Sequence, residues 1–222
     1  MKRKRTAILI SGRGSNMSAL IAAGRESAYP AEFVVVISNR PGAAGLHAAE
    51  QAGIHAVALD HRLSTDREGF DHTLDQTLRD HDVELVACAG YMRIMTRGLI
   101  TAWRDRMINI HPSLLPLYPG LHTHERALAD GVKIHGCSVH VMRDDVDTGP
   151  IIAQAAVPVL SDDTPERLAV RVLAAEHQLY PRALSLYASG RVRIEGKRAI
   201  VEGDADQLPL LAPLMPYSST SM

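Results

Sequence analysis

Cysteine is scarce in this chain. Two occur in 222 residues, Cys88 and Cys137, too few for a disulfide scaffold or a zinc cage, and both read as free thiols. No apolar run approaches the roughly 18 residues of a membrane helix. The basic start, Met1-Lys2-Arg3-Lys4-Arg5, leads into a short apolar run that reads as a strand. It lacks the longer apolar segment and the cleavage site of a secretory signal. Neither sign of charge is in excess: the formal net charge is -1, so nothing draws the whole molecule to nucleic acid or to an acidic membrane. Internal repeats and linker-like composition are absent too. What remains is 46% hydrophobic and 22% charged, ordinary for a globular protein with a sizeable core. The expectation is a cytoplasmic protein, one domain over residues 1–222, with no nucleic-acid or membrane partner.

The first half alternates strand and helix signals. Short β-rich runs occupy Thr6–Ser11, Glu32–Ser38, His55–Leu59, Val83–Ala89 and Met107–Ile110. Helical patterns start at Met17, run through Ala49 after the second strand, and extend from about Thr65 to Asp80. Val- and Ile-rich strands separated by helices predict βαβ units and a parallel sheet covered on both faces. The pattern then changes. Lys133–Met142 and Ile151–Val159 read as longer strands around RDDVDTG, forming an antiparallel pair. Thr164 supplies an N-cap and Pro165 a first-turn proline for a helix reaching about Ala188. Arg191–Ile194 and Ala199–Val201 read as a hairpin. Residues 203–222, with three prolines, predict a loosely ordered tail. The fold class is α/β: a Rossmann-like, mostly parallel sheet with helices on both faces and an antiparallel C-terminal part.

Between the first strand and first helix lies Ser11-Gly12-Arg13-Gly14-Ser15-Asn16. Ligands of open α/β sheets bind beyond the carboxyl ends of the strands. Glycines let the backbone approach an anion, and free N–H groups at the helix start point at it. The lesser alternative, for the stretch taken alone, is a tight turn with an N-cap and no ligand. It is neither G-x-G-x-x-G, because Met17 takes the last position, nor a Walker A loop. A single phosphate group therefore suits it better than a dinucleotide or a triphosphate.

The segment INIHPSLLPLYPGLHTHERAL, residues 108–128, ends a strand in a histidine. Asn109 and His111 are two apart, so their side chains point the same way if the strand persists. Pro112, Pro116 and Pro119 stiffen the loop after them. The acidic turn Arg143–Pro150 offers carboxylates that could approach His111, and such a neighbour favours the imidazolium. A cationic imidazole beside an Asn amide suits a carbonyl oxygen that becomes negative. That is the logic of acyl transfer to an amine, where the amine is itself the nucleophile. No G-x-S-x-G elbow or motif-like catalytic cysteine is present. His122 and His124 form a His-x-His element common in zinc sites, but no Cys is near and a helical spacing of two splays them apart. His135 and His140, at odd spacing on one strand, face opposite sides; His135 is expected at the surface, and His140 in the site or supporting it.

These residues together resemble the phosphoribosylglycinamide formyltransferases, folate-dependent enzymes of purine synthesis. The resemblance runs from about Thr6 to Ala199 and is carried by INIHPSLLPLYPGLHTH, SGRGSN, AGYMRI at 89–94 and SVHVMRDDVDTGPII at 138–152. Related deformylases carry an added domain ahead of the catalytic one, and methionyl-tRNA formyltransferases a basic one after it; this chain starts at its first strand. The resemblance implies a single-domain formyltransferase fold, with a phosphate-binding half at about 6–105 and a catalytic and folate-binding half at about 106–202. It implies 10-formyltetrahydrofolate as co-substrate, glycinamide ribonucleotide as acceptor, no metal, and either a monomer or a homodimer. Asn109, His111 and Asp147 would be catalytic, with Asp147 orienting His111. Gly14, Ser15 and Asn16 would hold the phosphate, and Glu176, otherwise readable as a solvated helix residue, the ribose hydroxyls. Met92, Arg93 and Ile94 would line the pterin pocket through their backbone, with Val141 and Met142 packing on it. Ser138, near Asp147, and His140 would support the site.

Overall fold

The computed structural model describes residues 2–202; the tail expected over 203–222 lies outside the described residues. A seven-stranded sheet organises the chain in the order β3-β2-β1-β4-β5-β6-β7. Its strands are β1 (Lys4–Ile10), β2 (Ala31–Ser38), β3 (His55–Ala58), β4 (Leu85–Cys88), β5 (Met107–His111), β6 (Ile134–Val141) and β7 (Ile151–Pro158). Pairing is parallel from β3 across to β5 and antiparallel from β5 to β7. The helices are α1 (Ser15–Gly24), α2 (Ala44–Gln51), α3 (Arg67–Asp80), α4 (Arg97–Ala102), α5 (Thr123–Ala129) and α6 (Pro165–Ala188). A separate hairpin, β8 (Val192–Glu195) with β9 (Arg198–Val201), follows α6. The mostly parallel sheet and its antiparallel end agree with the sequence reading. Helix α4 went unforeseen: it has six residues, although Thr96 caps it by accepting from Leu99 N.

The two-residue period of the strands divides the core. Ile8, Ile10, Val36, Ala87, Ile108 and Ile110 face one side, with Met17 and Leu20 of α1 and Leu168 and Val172 of α6. Ala7, Leu9, Val35, Ile37, Val86 and Met107 face the other, with Phe70, Leu74 and Leu78 of α3 and Leu99 and Ile100 of α4. Alternation therefore turns Asn109 and His111 to the α3–α4 side, like Met107. Trp103, just past α4, is buried on that side and donates from Nε1 to Asp75 Oδ1 at 2.7 Å.

Helix α6 is fixed to the carboxyl ends of the central strands by one side chain. The Tyr180 hydroxyl, fully buried, lies 2.9 Å from Cys88 O and 3.3 Å from Ile108 O. Glu176 is one turn earlier on the same face. The β6–β7 turn is closed at Gly149, where an added Cβ would run into Val141 O, so this position excludes any side chain. Among the described residues no helix is long and apolar enough to cross a membrane.

Tyr180→Phe keeps the ring and removes the hydroxyl. It should lower stability by about 1–2 kcal/mol, read as a lower urea midpoint at unchanged slope. A midpoint equal to that of the wild type would show that the bond contributes nothing net.

Candidate active site

The site forms where the loops after β1, β4, β5 and β6 meet. Gly14 is the N-cap of α1 at φ 74°, ψ 34°, with no side-chain cap. That left-handed conformation favours glycine, and a Cβ there would press on Met17 Cε at 3.0 Å and Gly45 Cα at 3.3 Å. Gly45 N donates to Gly12 O at 3.1 Å, so the start of α2 backs the loop. Ser15 is exposed, whereas Asn16 is buried and donates from Nδ2 to Glu176 Oε2 at 2.6 Å. Asn16 Oδ1 is buried without a partner. Glu176 is buried, not on a solvated face. Burial raises its pKa, and the bond from Asn16 offsets this only in part.

Asn109 and His111 pair across β5–β6 with His140 and Ser138 respectively. The antiparallel register thus brings β6 side chains beside both. Asp147, in a left-handed conformation at φ 56° in the β6–β7 turn, completes the group. His111 Nδ1 lies 3.3 Å from Asp147 Oδ2, with both side chains buried. His140 Nε2 lies 3.6 Å from Asp147 Oδ1 and 3.2 Å from Asn109 Nδ2. With its proton on Nδ1, His140 donates to Val141 O at 3.2 Å and accepts from Asn109; with its proton on Nε2 it donates to Asp147. Gly120 N donates to Asp147 Oδ2 at 2.8 Å. The other nitrogen of His111, Nε2, lies 3.0 Å from Tyr118 O.

Burial works to raise the Asp147 pKa, but hydrogen bonds from His140 and Gly120 N and the nearby His111 outweigh it, holding the carboxyl below its ordinary value. For His111 the balance runs the other way. Desolvation lowers its pKa more than Tyr118 O and Asp147 raise it. The sequence reading expected the carboxylate to favour an imidazolium; the buried ring is instead held toward the neutral form.

The proline loop is tied down as its composition predicts, and Ser138 does the tying. Its hydroxyl donates to Ser113 O at 2.7 Å, and accepts from Leu115 N at 3.0 Å and Gln154 Nε2 at 2.8 Å. Ser138 therefore supports the loop and not Asp147, as had been expected. His135 is also corrected. It is 1% exposed, with Tyr118 and His124 edge-on at centroid distances of 5.7 and 5.3 Å. Burial, and secondarily His124, push its pKa down to about 4. His122 is exposed at the start of α5 beside Glu125, while His124 turns inward to His135. The two thus diverge as helical spacing requires. Among the described residues no group of three or more His, Cys, Asp or Glu is arranged to hold a metal ion.

Met92 and Ile94 are exposed beside the site, at 64% and 55%. The Arg93 guanidinium turns away and stacks 4.3 Å over the Phe70 ring, and Met92 N donates to Ser11 Oγ at 2.7 Å. Leu117, Leu121 and Val146 are also exposed, next to the residues that bond His111 and Asp147. Met142 packs against the α3–α4 side, with its sulfur 3.4 Å from Cys88 Sγ. Val141 does not join it: fully buried, it belongs to the α1–α6 core on the opposite face. Sequence reasoning placed Ser11 in the glycine loop without giving it a role, and missed Tyr118 O, Gly120 N and Gln154. Of these three only Gly120 had a local signal, the Tyr-Pro-Gly turn.

The chain is similar to proteins already known by sequence and by structure. The trifunctional purine biosynthetic protein adenosine-3 of Drosophila melanogaster is 48% identical over 195 residues, which is 87% of this chain but only 14% of that protein. The phosphoribosylglycinamide formyltransferase of Escherichia coli K12 is 40% identical over 196 residues, 88% of this chain and 92% of its own. The crystal structure of glycinamide ribonucleotide transformylase 1 from Symbiobacterium toebii superposes with a TM-score of 0.88 at 47% identity, covering 90% of this chain and 94% of that one. The formyl transferase family model matches residues 4–184. That match takes in the glycine loop, the Asn109–His111 strand, the Asp147 turn and Glu176 on α6, and the chain belongs to the formyl transferase family.

Proposed function

We propose that the protein transfers the formyl group of 10-formyltetrahydrofolate to the amine of 5'-phosphoribosylglycinamide, a step of purine biosynthesis, giving formylglycinamide ribonucleotide and tetrahydrofolate. The observation that carries this reading is the buried His111–Asp147 contact of 3.3 Å on the strand end that also bears Asn109. The formyltransferase and transformylase names of the full-length relatives support it.

Both substrates fit the residues present. Exposed Met92, Ile94, Leu117, Leu121 and Val146 offer apolar surface to a flat heteroaromatic ring, and backbone groups of 92–94 other than the Met92 N–H, which Ser11 holds, would meet its edge. The uncapped α1 start with Gly14, Ser15 and Asn16 suits a phosphate. Glu176, beside Asn16, suits ribose hydroxyls. Met142, half-buried against Cys88 at the end of β4, would back that ring from the scaffold side.

The chemistry follows from the trio. The amine nitrogen attacks the formyl carbon; a C–N bond forms and the carbonyl electron pair moves to oxygen. Asn109 donates an amide N–H to that oxygen. His111 lies between two acceptors, Tyr118 O and Asp147. A neutral ring has one N–H and satisfies one of them; the protonated ring satisfies both. Burial keeps the ring neutral beforehand, with its unprotonated nitrogen facing a protein acceptor, so the proton that the amine releases reaches it by way of Asp147 or a water. Asp147 stabilises the resulting cation and orients the ring. The oxygen's electron pair then re-forms the carbonyl, the bond to the folate nitrogen breaks with its pair on that nitrogen, and the proton returns to that nitrogen from His111 by the same route.

Purified protein with both substrates should release tetrahydrofolate only when the amine substrate is present, and His111→Ala in a folded variant should abolish release. Equal release without the amine would make the protein a hydrolase and overturn the reading. Asp147→Asn should cut kcat by about 10²- to 10⁴-fold while the affinity for the phosphate substrate stays close to wild type; joint loss of both would mark Asp147 as structural. An NMR titration of the His111 ring should give a midpoint below 6.5, and lower still in Asp147→Asn, because the carboxylate's attraction raises it. A midpoint above 6.5 in the wild type would show the ring charged before reaction. As pH falls below 6.5 toward that midpoint, the unfolded chain takes up this proton first, so this histidine's contribution to stability is lost over that window.

A further inference from the structure

Ser11 ends the first strand and opens the phosphate loop, and its side chain reaches a different loop. It is 4% exposed. Its hydroxyl accepts from Met92 N at 2.7 Å and donates to Asn39 Oδ1 at 2.5 Å, and its backbone N–H donates to Gly90 O at 3.1 Å. A hydroxyl has a single proton to donate. With that proton committed to Asn39, the lone pairs face Met92. Asn39 is held in turn: it is 2% exposed, and its carbonyl lies 2.7 Å from His61 Nδ1. The far end of the 90–96 segment is fixed by α3, through Asp71 Oδ2 accepting from Thr96 N at 2.6 Å and Phe70 beneath Arg93. Its near end is tied to the phosphate loop by Ser11.

We propose that Ser11 is a positioning residue that couples the two substrate sites, so that filling either one tightens the other. This rests on the proposed function, which puts phosphate on residues 14–16 and the folate ring on 92–94. Neither loop shifts at its Ser11 end without moving the shared hydroxyl. A ligand seated on one loop fixes that hydroxyl, and the ordering demanded by the second ligand is then already made. Such coupling is reciprocal: each ligand changes the other's affinity by one and the same factor.

The test is calorimetry on the intact protein with glycinamide ribonucleotide and tetrahydrofolate, which carries no formyl group to transfer. Each ligand is titrated alone and against a saturating amount of the other. In the wild type each should bind about fivefold or more tightly when the other is present. Ser11→Ala should bring that factor toward one, and Ser11→Thr, which keeps the hydroxyl, should restore it. Asn39→Ala, which frees the hydroxyl from its acceptor, should lower it as well, and guards against a single variant that fails to fold. Independent binding in the wild type overturns the inference alone. Weaker single-ligand binding in Ser11→Ala with the factor intact assigns Ser11 a merely structural role and overturns it too. If the wild type binds neither ligand, the proposed function itself falls and takes the inference with it.

Discussion

A carboxylate withdrawn from water needs polar company, and Asp147 has it on three sides: the Gly120 N–H that donates to it, and the rings of His111 and His140. Each comes from a different part of the chain. His111 ends β5, His140 belongs to β6, and Gly120 lies in the proline loop between them. Leaving a buried polar group without a partner costs about 1–3 kcal/mol, and more for a charged one, so the three segments cannot drift apart independently. The same contacts hold the proline loop against the strand end and keep the His111 ring in place. Rigidity here comes from satisfying one buried charge, with the prolines narrowing what the loop could otherwise adopt.

The reversal of strand direction at β5 gives this arrangement its geometry. The parallel strands deliver loops to one edge, which is where the glycine loop and the 92–94 segment meet. An antiparallel partner then places His140 directly opposite Asn109 and sends the chain back past its own strand end through the Asp147 turn. A further parallel strand would have required a long crossover at that point, and its following loop could not have returned to His111 so directly. The site therefore occupies the boundary between the two kinds of pairing.

How much of this was legible in the sequence depended on whether the decisive force was local. Asn109 and His111 were readable because strand alternation is a property of the backbone. The acidic turn was readable because its flanking strands were. Glu176 was visible only through resemblance, since a glutamate on a helix has the same local sequence whether it faces water or Asn16. His135 was misread because strand period says which side a residue faces, not whether a loop and a short helix cover that side. His111 was misjudged for a related reason. The carboxylate that raises its pKa is written in the sequence, while the desolvation that lowers it exists only after folding. Backbone groups such as Tyr118 O carry no sequence signal at all.

Trp103 is the sole tryptophan of the chain, buried behind α4 with its indole N–H on Asp75. Its emission consequently reports a single layer, the one where α3 and α4 cover the sheet. Aspartate 71 and Phe70 of that same layer anchor the far end of the 90–96 segment. The molecule thus contains its own optical probe of the scaffold behind the 90–96 segment, readable without any added label and separate from Asn109 and His111.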